Sequence, residues 1–242
     1  MPSWFGKLSY AWRRHGPTGL LWLVAYNAAH HARALVYRAH RQSLVDRFDQ
    51  EHGTDTGGTR TTASLDVVDS PVAIYAVQYE PSDAQLVRDQ LDKLDIDPAQ
   101  FTFVDLGSGK GRVLLIAAER PFRDVIGIEF SRELHEIALR NIGRLPRQLA
   151  AGVRVRSVNG DAAEVALPKG NLVCYFNNPF GPPIISRVAE RLVAHHRYHG
   201  CQILVVYVVP QHRDVFERCG IFRILDESRD AVIFTTMQGQ TA

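Results

Sequence analysis

Short apolar runs alternate with segments of helical periodicity along most of the chain, from residue 82 to its end. The runs predicted as strands are FTFVDL (101–106), DVIGIEF (124–130), VRVRSV (153–158), NLVCYF (171–176), QILVVYVV (202–209), IFRIL (221–225) and AVIFTTM (231–237). Alternation of strand and helix predicts a parallel sheet with helices on both faces. The last two strands are joined by the short polar hairpin DESRD, which makes the final strand antiparallel to its neighbours. We therefore predict an α/β fold: a doubly wound seven-strand sheet, mostly parallel, with an antiparallel last strand.

The first predicted strand runs directly into a glycine-rich turn, DLGSGKGR, at residues 105–112. The dinucleotide fingerprint would place its third glycine where this chain has Arg112, so a nicotinamide-dependent oxidoreductase is the disfavoured alternative. Glycine lets the backbone approach a ligand closely, and the helix after the loop offers free N–H groups. The turn therefore predicts a ligand-binding loop.

Four consecutive predicted strands end in a polar residue or a glycine turn, and in such sheets ligands bind at the carboxyl ends of the strands. The first strand ends at Asp105, the second at Glu129, the third just before Asp161, and the fourth at the tetrapeptide NNPF, residues 177–180. Glu129 can accept hydrogen bonds from both hydroxyls of a ribose. Asp161 can accept from the exocyclic amine of a base, and Asp105 can balance an ammonium group. Together these groups describe a site for an adenosyl amino acid.

Over about residues 79–237 the chain resembles the seven-strand, or class I, S-adenosylmethionine-dependent methyltransferases. VDLGSGKGR matches the acid-x-Gly-x-Gly-x-Gly loop of that family, GIEF its ribose-binding strand end, and NGDA its adenine-binding turn. The resemblance implies methyl transfer with S-adenosyl-L-methionine as cofactor and no metal. The cofactor-binding residues that it implies are Tyr79, Asp105, Gly107, Ser108, Gly109, Gly111, Glu129, Asp161 and Ala162.

Two further motifs carry parts of this resemblance. YEPS, which begins at Tyr79, is similar to the Tyr-x-Pro segment of the seven-strand histone-lysine methyltransferases, which folds over the methionine end of the cofactor. The alternative is a simple helix entry, with Ser82 as the candidate N-cap of a helix over residues 82–94.

The second motif, NNPF, resembles the Asn-Pro-Pro-Tyr/Phe tetrapeptide of amino-group methyltransferases and departs from it at its second position. We take its four residues as the catalytic candidates: Asn177, Asn178, Pro179 and Phe180. The tetrapeptide predicts methylation of a nitrogen, on an amine of a protein or a small molecule. An RNA or DNA amino-methyltransferase is the alternative, and a non-catalytic module that binds the cofactor or nucleic acid is another. The methyl acceptor itself is unknown.

The N-terminal part differs in charge from the rest of the chain. Residues 1–48 contain seven Lys or Arg and one acid, and their apolar residues recur every three or four places. We predict a basic helical arm with its following loop over residues 1–60, and the methyltransferase domain over 61–242. The expected role of arm and loop is a cap over the acceptor side. Contact of the basic face with nucleic acid or a membrane surface is the alternative.

Two properties bear on the compartment. The apolar stretch Thr18–Ala29 is too short to span a bilayer, so no integral membrane segment is predicted. Cys174, Cys201 and Cys219 have no metal-binding spacing, and two of them lie in apolar runs, which favours buried thiols in a reducing compartment. We therefore expect a cytoplasmic protein.

Overall fold

The computed structural model describes residues 47–59, 79–145, 153–177 and 181–237. The predicted fold is confirmed. The described residues form a seven-stranded sheet of order β3-β2-β1-β4-β5-β7-β6. The strands are β1 (Phe101–Leu106), β2 (Asp124–Glu129), β3 (Arg154–Asn159), β4 (Asn171–Asn177), β5 (Ile203–Val208), β6 (Phe222–Glu227) and β7 (Ala231–Thr236). The first five strands are parallel, whereas β7 lies between β5 and β6 and is antiparallel to both.

Helices lie between most of these strands. They are α1 (residues 47–52), α2 (Ala84–Asp92), α3 (Arg112–Ala117), α4 (Arg132–Ile142), α5 (Pro182–His199) and α6 (Asp214–Glu217), with a 3₁₀ turn at Pro98–Gln100. Ser131 caps α4 as its sequence suggests, because its hydroxyl accepts a hydrogen bond from Leu134 N.

The predicted cap of α2 is wrong. Asp83, not Ser82, precedes the helix, and its carboxylate accepts from Leu86 N at 3.0 Å. Both residue types are good N-caps, so local preference does not separate them. Tertiary contacts do: Ser82 is buried, and its hydroxyl bonds to side chains at the end of β4 instead.

The core lies on both faces of the sheet. Helices α5 and α6 cover one face, with Phe176, Tyr207 and Phe216 among the buried rings, and α2 and α3 cover the other. Strand β5 is buried at every position, as its continuous apolar run predicts. Cys174 and Cys201 are buried free thiols, and burial raises the pKa of both.

Residues 47–59 belong to the same compact unit as the sheet. The sequence predicts a loop over residues 49–71, and this prediction is wrong for residues 49–52, which are helical. The other arm and loop residues, 1–46 and 60–78, lie outside the described residues, so the boundary after residue 60 stays a prediction. Within the described ranges, every helix is too short or too polar to cross a bilayer.

Candidate functional site

The strand order brings the predicted site residues to one edge. β1, β2, β3 and β4 are parallel neighbours, so their carboxyl ends coincide. In the register of the sheet, Asp105 lies beside Gly127 and Tyr175, while Glu129 lies beside Asn159. Asn177 is the last residue of β4. The site is therefore made by the topology, from residues that lie far apart in sequence.

The glycine loop is attached to β2 by its backbone. Gly107 N and Ser108 N both donate to Ile128 O, at 2.9 and 3.1 Å. Gly107, Gly109 and Gly111 have φ angles of 89°, 53° and 85°, in the left-handed region that favours glycine. The Ser108 side chain is directed at β2, since its hydroxyl oxygen would lie 2.6 Å from a Cβ placed at Gly127.

A neighbouring side chain also leaves no room for a Cβ atom at Gly109. A Cβ at this position would lie 2.2 Å from Cε2 of Tyr79, so the aromatic ring packs directly on bare backbone. The YEPS motif thus contacts the loop instead of serving only as a helix entry. Burial raises the pKa of the Tyr79 hydroxyl, which therefore stays protonated and donates a hydrogen bond.

Glu129 binds the backbone of the glycine loop, a role that its position in the sequence does not indicate. Its two carboxylate oxygens accept from Gly109 N at 2.7 Å and from Ser131 N at 2.8 Å. Burial raises the pKa of Glu129, and these backbone N–H groups oppose the rise. Each oxygen has two lone pairs, so accepting one N–H leaves capacity for a ribose hydroxyl. The carboxylate of Glu129 therefore holds the glycine loop at the end of β2.

The carboxyl group of Asp105 is buried at the end of β1. Its pKa is raised well above its usual range, first by burial and then by the negative charge of Glu129. Among the described residues, none donates a hydrogen bond that would offset this rise. A buried carboxylate in this state favours a cationic partner, and the ammonium group of an adenosyl amino acid is one.

The turn after β3 is held by hydrogen bonds. Gly160 N donates to Glu129 O, and Asp161 caps the turn by accepting from Ala163 N at 2.8 Å. Ala162 is buried, and its carbonyl accepts from Arg191. Asp161 has a second carboxylate oxygen beyond the one that caps the turn, so an adenine contact remains compatible with its position.

Asn177 is oriented by a residue that the sequence did not single out for this. Its Nδ2 donates to Ser82 Oγ at 3.0 Å, and the Tyr175 hydroxyl donates to the same oxygen at 3.3 Å. With the amide nitrogen bound to Ser82, the amide oxygen of Asn177 faces the other way. The other catalytic candidates, Asn178, Pro179 and Phe180, lie outside the described residues.

Two cations next to the glycine loop are buried, although the sequence allowed them to face solvent. Lys110 and Arg112 have side chains that are 5% and 3% exposed. Lys110 pairs with Asp55 at 2.7 Å, and Arg112 donates to the hydroxyl of Thr56 at 2.7 Å. The sequence signal for these contacts is the pair of acidic residues Asp49 and Asp55, which precede the sheet in sequence.

The fold and the site define a class I methyltransferase: a seven-strand sheet with an antiparallel β7, a glycine loop after β1 and an acid at the end of β2. A family model confirms this class. Residues 77–214, more than half of the chain, match the family described as histone methylation protein DOT1. The chain belongs to this family and, with it, to the methyltransferases that use S-adenosylmethionine. No curated protein matches the chain significantly.

Solved structures of methyltransferases are similar to parts of the chain. An RNA methyltransferase from Salinibacter ruber in complex with S-adenosyl-L-homocysteine is 18% identical, with a TM-score of 0.46, over 67% of this chain and 95% of that one. The ribosomal protein L11 methylase of Lactobacillus delbrueckii subsp. bulgaricus is 15% identical over 63% and 76%, with a TM-score of 0.46. A glycopeptide N-methyltransferase is 12% identical over 64% and 94%, with a TM-score of 0.48. Their acceptors differ, so no acceptor for this chain follows from them.

Proposed function

We propose that the chain transfers a methyl group from S-adenosylmethionine to an amine nitrogen, and that a protein side-chain amine is its acceptor. The orientation of Asn177 is the observation that carries this proposal. Its amide nitrogen is bound to Ser82, so its oxygen is available to accept from an N–H group of the acceptor. The family description, which refers to histone methylation, supports a protein over a nucleic acid or a free metabolite.

The residues present fit the cofactor. Asp105 would take its ammonium group, because a buried carboxylate without a cation favours one. Glu129 would accept from the ribose hydroxyls with its remaining lone pairs, and Asp161 from the adenine amine. Tyr79 and Gly109 form a wall of ring and backbone at the end of β1. The predicted cofactor-binding residues follow the carboxyl ends of neighbouring parallel strands, which supports a single shared site.

When bound, the cofactor supplies a methyl group already activated by its positive sulfur. The protein then has to orient the acceptor in line with the carbon–sulfur bond and exclude water. Asn177 would do so by accepting an N–H from the neutral amine, so that the lone pair of the nitrogen points at the methyl carbon. Transfer would form the carbon–nitrogen bond at the expense of the carbon–sulfur bond, whose electron pair would stay on sulfur, and the methylated nitrogen would lose one proton to water.

Ser82 is the positioning residue in this arrangement. It lies in the segment just before α2, yet its hydroxyl accepts from two side chains of β4, Tyr175 and Asn177. Ser82→Ala should let the Asn177 amide rotate, lowering kcat while the affinity for the cofactor stays near that of the wild type. Ser82→Thr, which keeps a hydroxyl, should restore part of the rate.

The test of the proposal uses Asn177→Ala with Asn171→Ala as its control. Asn171 is the same residue type at the opposite end of β4, where its side chain accepts from Gln202 N. Asn177→Ala should lower turnover about a hundredfold at nearly unchanged cofactor affinity, the order expected when a positioning group is lost. Asn171→Ala should keep the rate of transfer.

Purified histones, poly-L-lysine, RNA and free alkyl amines serve as acceptor probes, with isotope-labelled S-adenosylmethionine and mass spectrometry of the product. Methyl groups on protein amines are the expected result. Methylation of RNA alone would replace the protein acceptor by a nucleic acid, and methylation of oxygen, sulfur or carbon would refute the nitrogen assignment.

Location in the cytoplasm and contact of the basic arm with nucleic acid or a membrane surface remain predictions.

A further inference from the structure

Residues 47–59, here called the strap, comprise helix α1 and the turn that follows it. The Asp49 carboxylate accepts from the Thr54 hydroxyl at 2.8 Å and from both the backbone N and the hydroxyl of Thr56, at 2.9 and 2.6 Å. Thr54 N also donates to Asp49 O. These bonds fix the conformation of the strap from within.

The strap is bound to the glycine loop by Lys110 and Arg112, the two buried cations on either side of Gly111. Arg112 donates from Nε to the Thr56 hydroxyl at 2.7 Å, lies 3.8 Å from the Asp49 carboxylate, and stacks over the ring of Phe48 at 4.7 Å. Lys110 donates to Asp55 and to Gly57 O, both at 2.7 Å.

A third anchor lies on α4. Asn141 accepts from Asp55 N at 2.9 Å, and its amide nitrogen donates to the carbonyls of Asp55 and Lys110, at 2.8 and 2.9 Å. Asn141 is fully buried. It therefore ties the strap and the glycine loop to the same helix.

The positive charges of Lys110 and Arg112 explain why these two residues need the acids of the strap. Buried cations are costly unless they are paired and hydrogen-bonded, and positive charge at the N-terminus of a helix is repelled by the helix dipole. Both costs apply to Lys110, which lies just before α3, and to Arg112, which is the first residue of α3, because both residues are buried. Asp49 and Asp55 supply the compensating charges. The strap is thus required for the glycine loop to carry these two residues.

The strap also reaches the site itself. The Tyr79 hydroxyl donates to Thr56 O at 2.7 Å, and its ring packs on Gly109. Arg112 donates from Nη1 to Ser82 O at 3.3 Å. Both ends of the segment Tyr79–Ser82 are therefore fixed by the strap or by the arginine that holds it. At its Ser82 end the segment is bound to Tyr175 and Asn177 of β4. At its Tyr79 end it lies on Gly109, whose amide nitrogen donates to Glu129.

We propose that the strap is a positioning element of the cofactor site, which holds Tyr79 against Gly109 and thereby keeps the glycine loop in the conformation that binds S-adenosylmethionine. This proposal rests on cofactor binding alone and holds whatever the methyl acceptor is.

Thr56→Val tests the proposal in the full chain, because it removes the hydroxyl that joins Asp49 to Arg112 and keeps the shape and the carbonyl that Tyr79 uses. Dissociation constants are measured by calorimetry for S-adenosylmethionine and S-adenosylhomocysteine. Binding of both should weaken about tenfold. Lys93→Met, which breaks an exposed ion pair with Asp226 elsewhere, should leave both unchanged.

Wild-type affinity of Thr56→Val for both ligands would overturn the proposal. Thr56→Ser keeps the hydroxyl and should bind as the wild type does, which separates the hydrogen bonds from a general loss of folding. Tyr79→Phe removes the other half of the connection. If the strap acts through Tyr79, the double variant Thr56→Val/Tyr79→Phe should lose clearly less affinity than the product of the two single losses; independent losses would contradict the coupling.

Discussion

Asp105→Asn should stabilise the unliganded protein and weaken its binding of S-adenosylmethionine. The wild-type carboxylate is buried, and burial and the charge of Glu129 raise its pKa. Each unit of such a rise corresponds to about 1.4 kcal/mol of stability lost when the group is ionised. An amide of the same shape carries no charge, so the variant avoids this loss. A gain of about 1 kcal/mol would raise the melting temperature by roughly 2–4 °C for a protein of this size class.

The gain should depend on pH. The unfolded chain releases the proton of Asp105 near the usual carboxyl pKa of about 4, whereas the folded protein keeps it to higher pH. The wild type therefore loses stability as pH rises from the ordinary pKa through the raised one, and the loss is complete above it. The difference in melting temperature between Asp105→Asn and the wild type should grow over this window and then level off.

The loss of affinity follows from the ammonium group. A hydrogen bond to a charged partner contributes about 1.5–3 kcal/mol, so the variant should bind S-adenosylmethionine roughly 10- to 100-fold more weakly. Because the ammonium favours ionised Asp105, the wild type should also bind more tightly as pH rises through its pKa, with release of a proton.

Thermal unfolding from pH 5 to 8.5 and calorimetry in two buffers of different protonation enthalpy measure these effects. Asp124→Asn is the control: it makes the same change at the amino end of β2, where the carboxylate pairs with Arg154 at the surface. It should give no gain in stability and no loss of affinity. An Asp105→Asn protein that melts below the wild type throughout, or that binds the cofactor equally well, would refute the reasoning.

Three other changes have distinct expected results. Glu129→Ala should lower both the melting temperature and, by tenfold or more, the affinity for the cofactor, since two backbone N–H groups lose a charged acceptor; calorimetry that finds wild-type affinity would contradict its place in the site. Gly109→Ala should abolish cofactor binding by forcing the Tyr79 ring away, and a Tyr79→Ala replacement in the same chain should restore part of it; identical binding in both would exclude the clash. Deletion of residues 1–46 should leave cofactor binding intact but stop methyl transfer, whereas deletion of 1–59 should weaken both; calorimetry and transfer assays that show equal losses for the two deletions would argue against separate roles.

The seven strands, their mostly parallel arrangement and the edge at which the candidate site residues lie could be predicted from the sequence. Continuous apolar runs such as the one that forms β5 and the glycine spacing 107-109-111 are local patterns, and local patterns determine strand and turn type. Once the strands are parallel, their carboxyl ends must meet, so Asp105, Glu129 and Asn177 converge without any further information.

The sequence could not predict which partner each polar side chain would choose. Ser82 and Asp83 are adjacent and equally suited to cap α2. Asp83 is the cap, because the hydroxyl of Ser82 is bound to Asn177, which lies 95 positions away in sequence. Lys110 could face solvent or a ligand by its position in sequence, but it is bound to Asp55, which precedes it by 55 positions. Hydrogen bonds and ion pairs depend on geometry within about 3 Å. Periodicity fixes the face of an element on which a side chain lies, whereas only the packed fold brings two such faces within that distance.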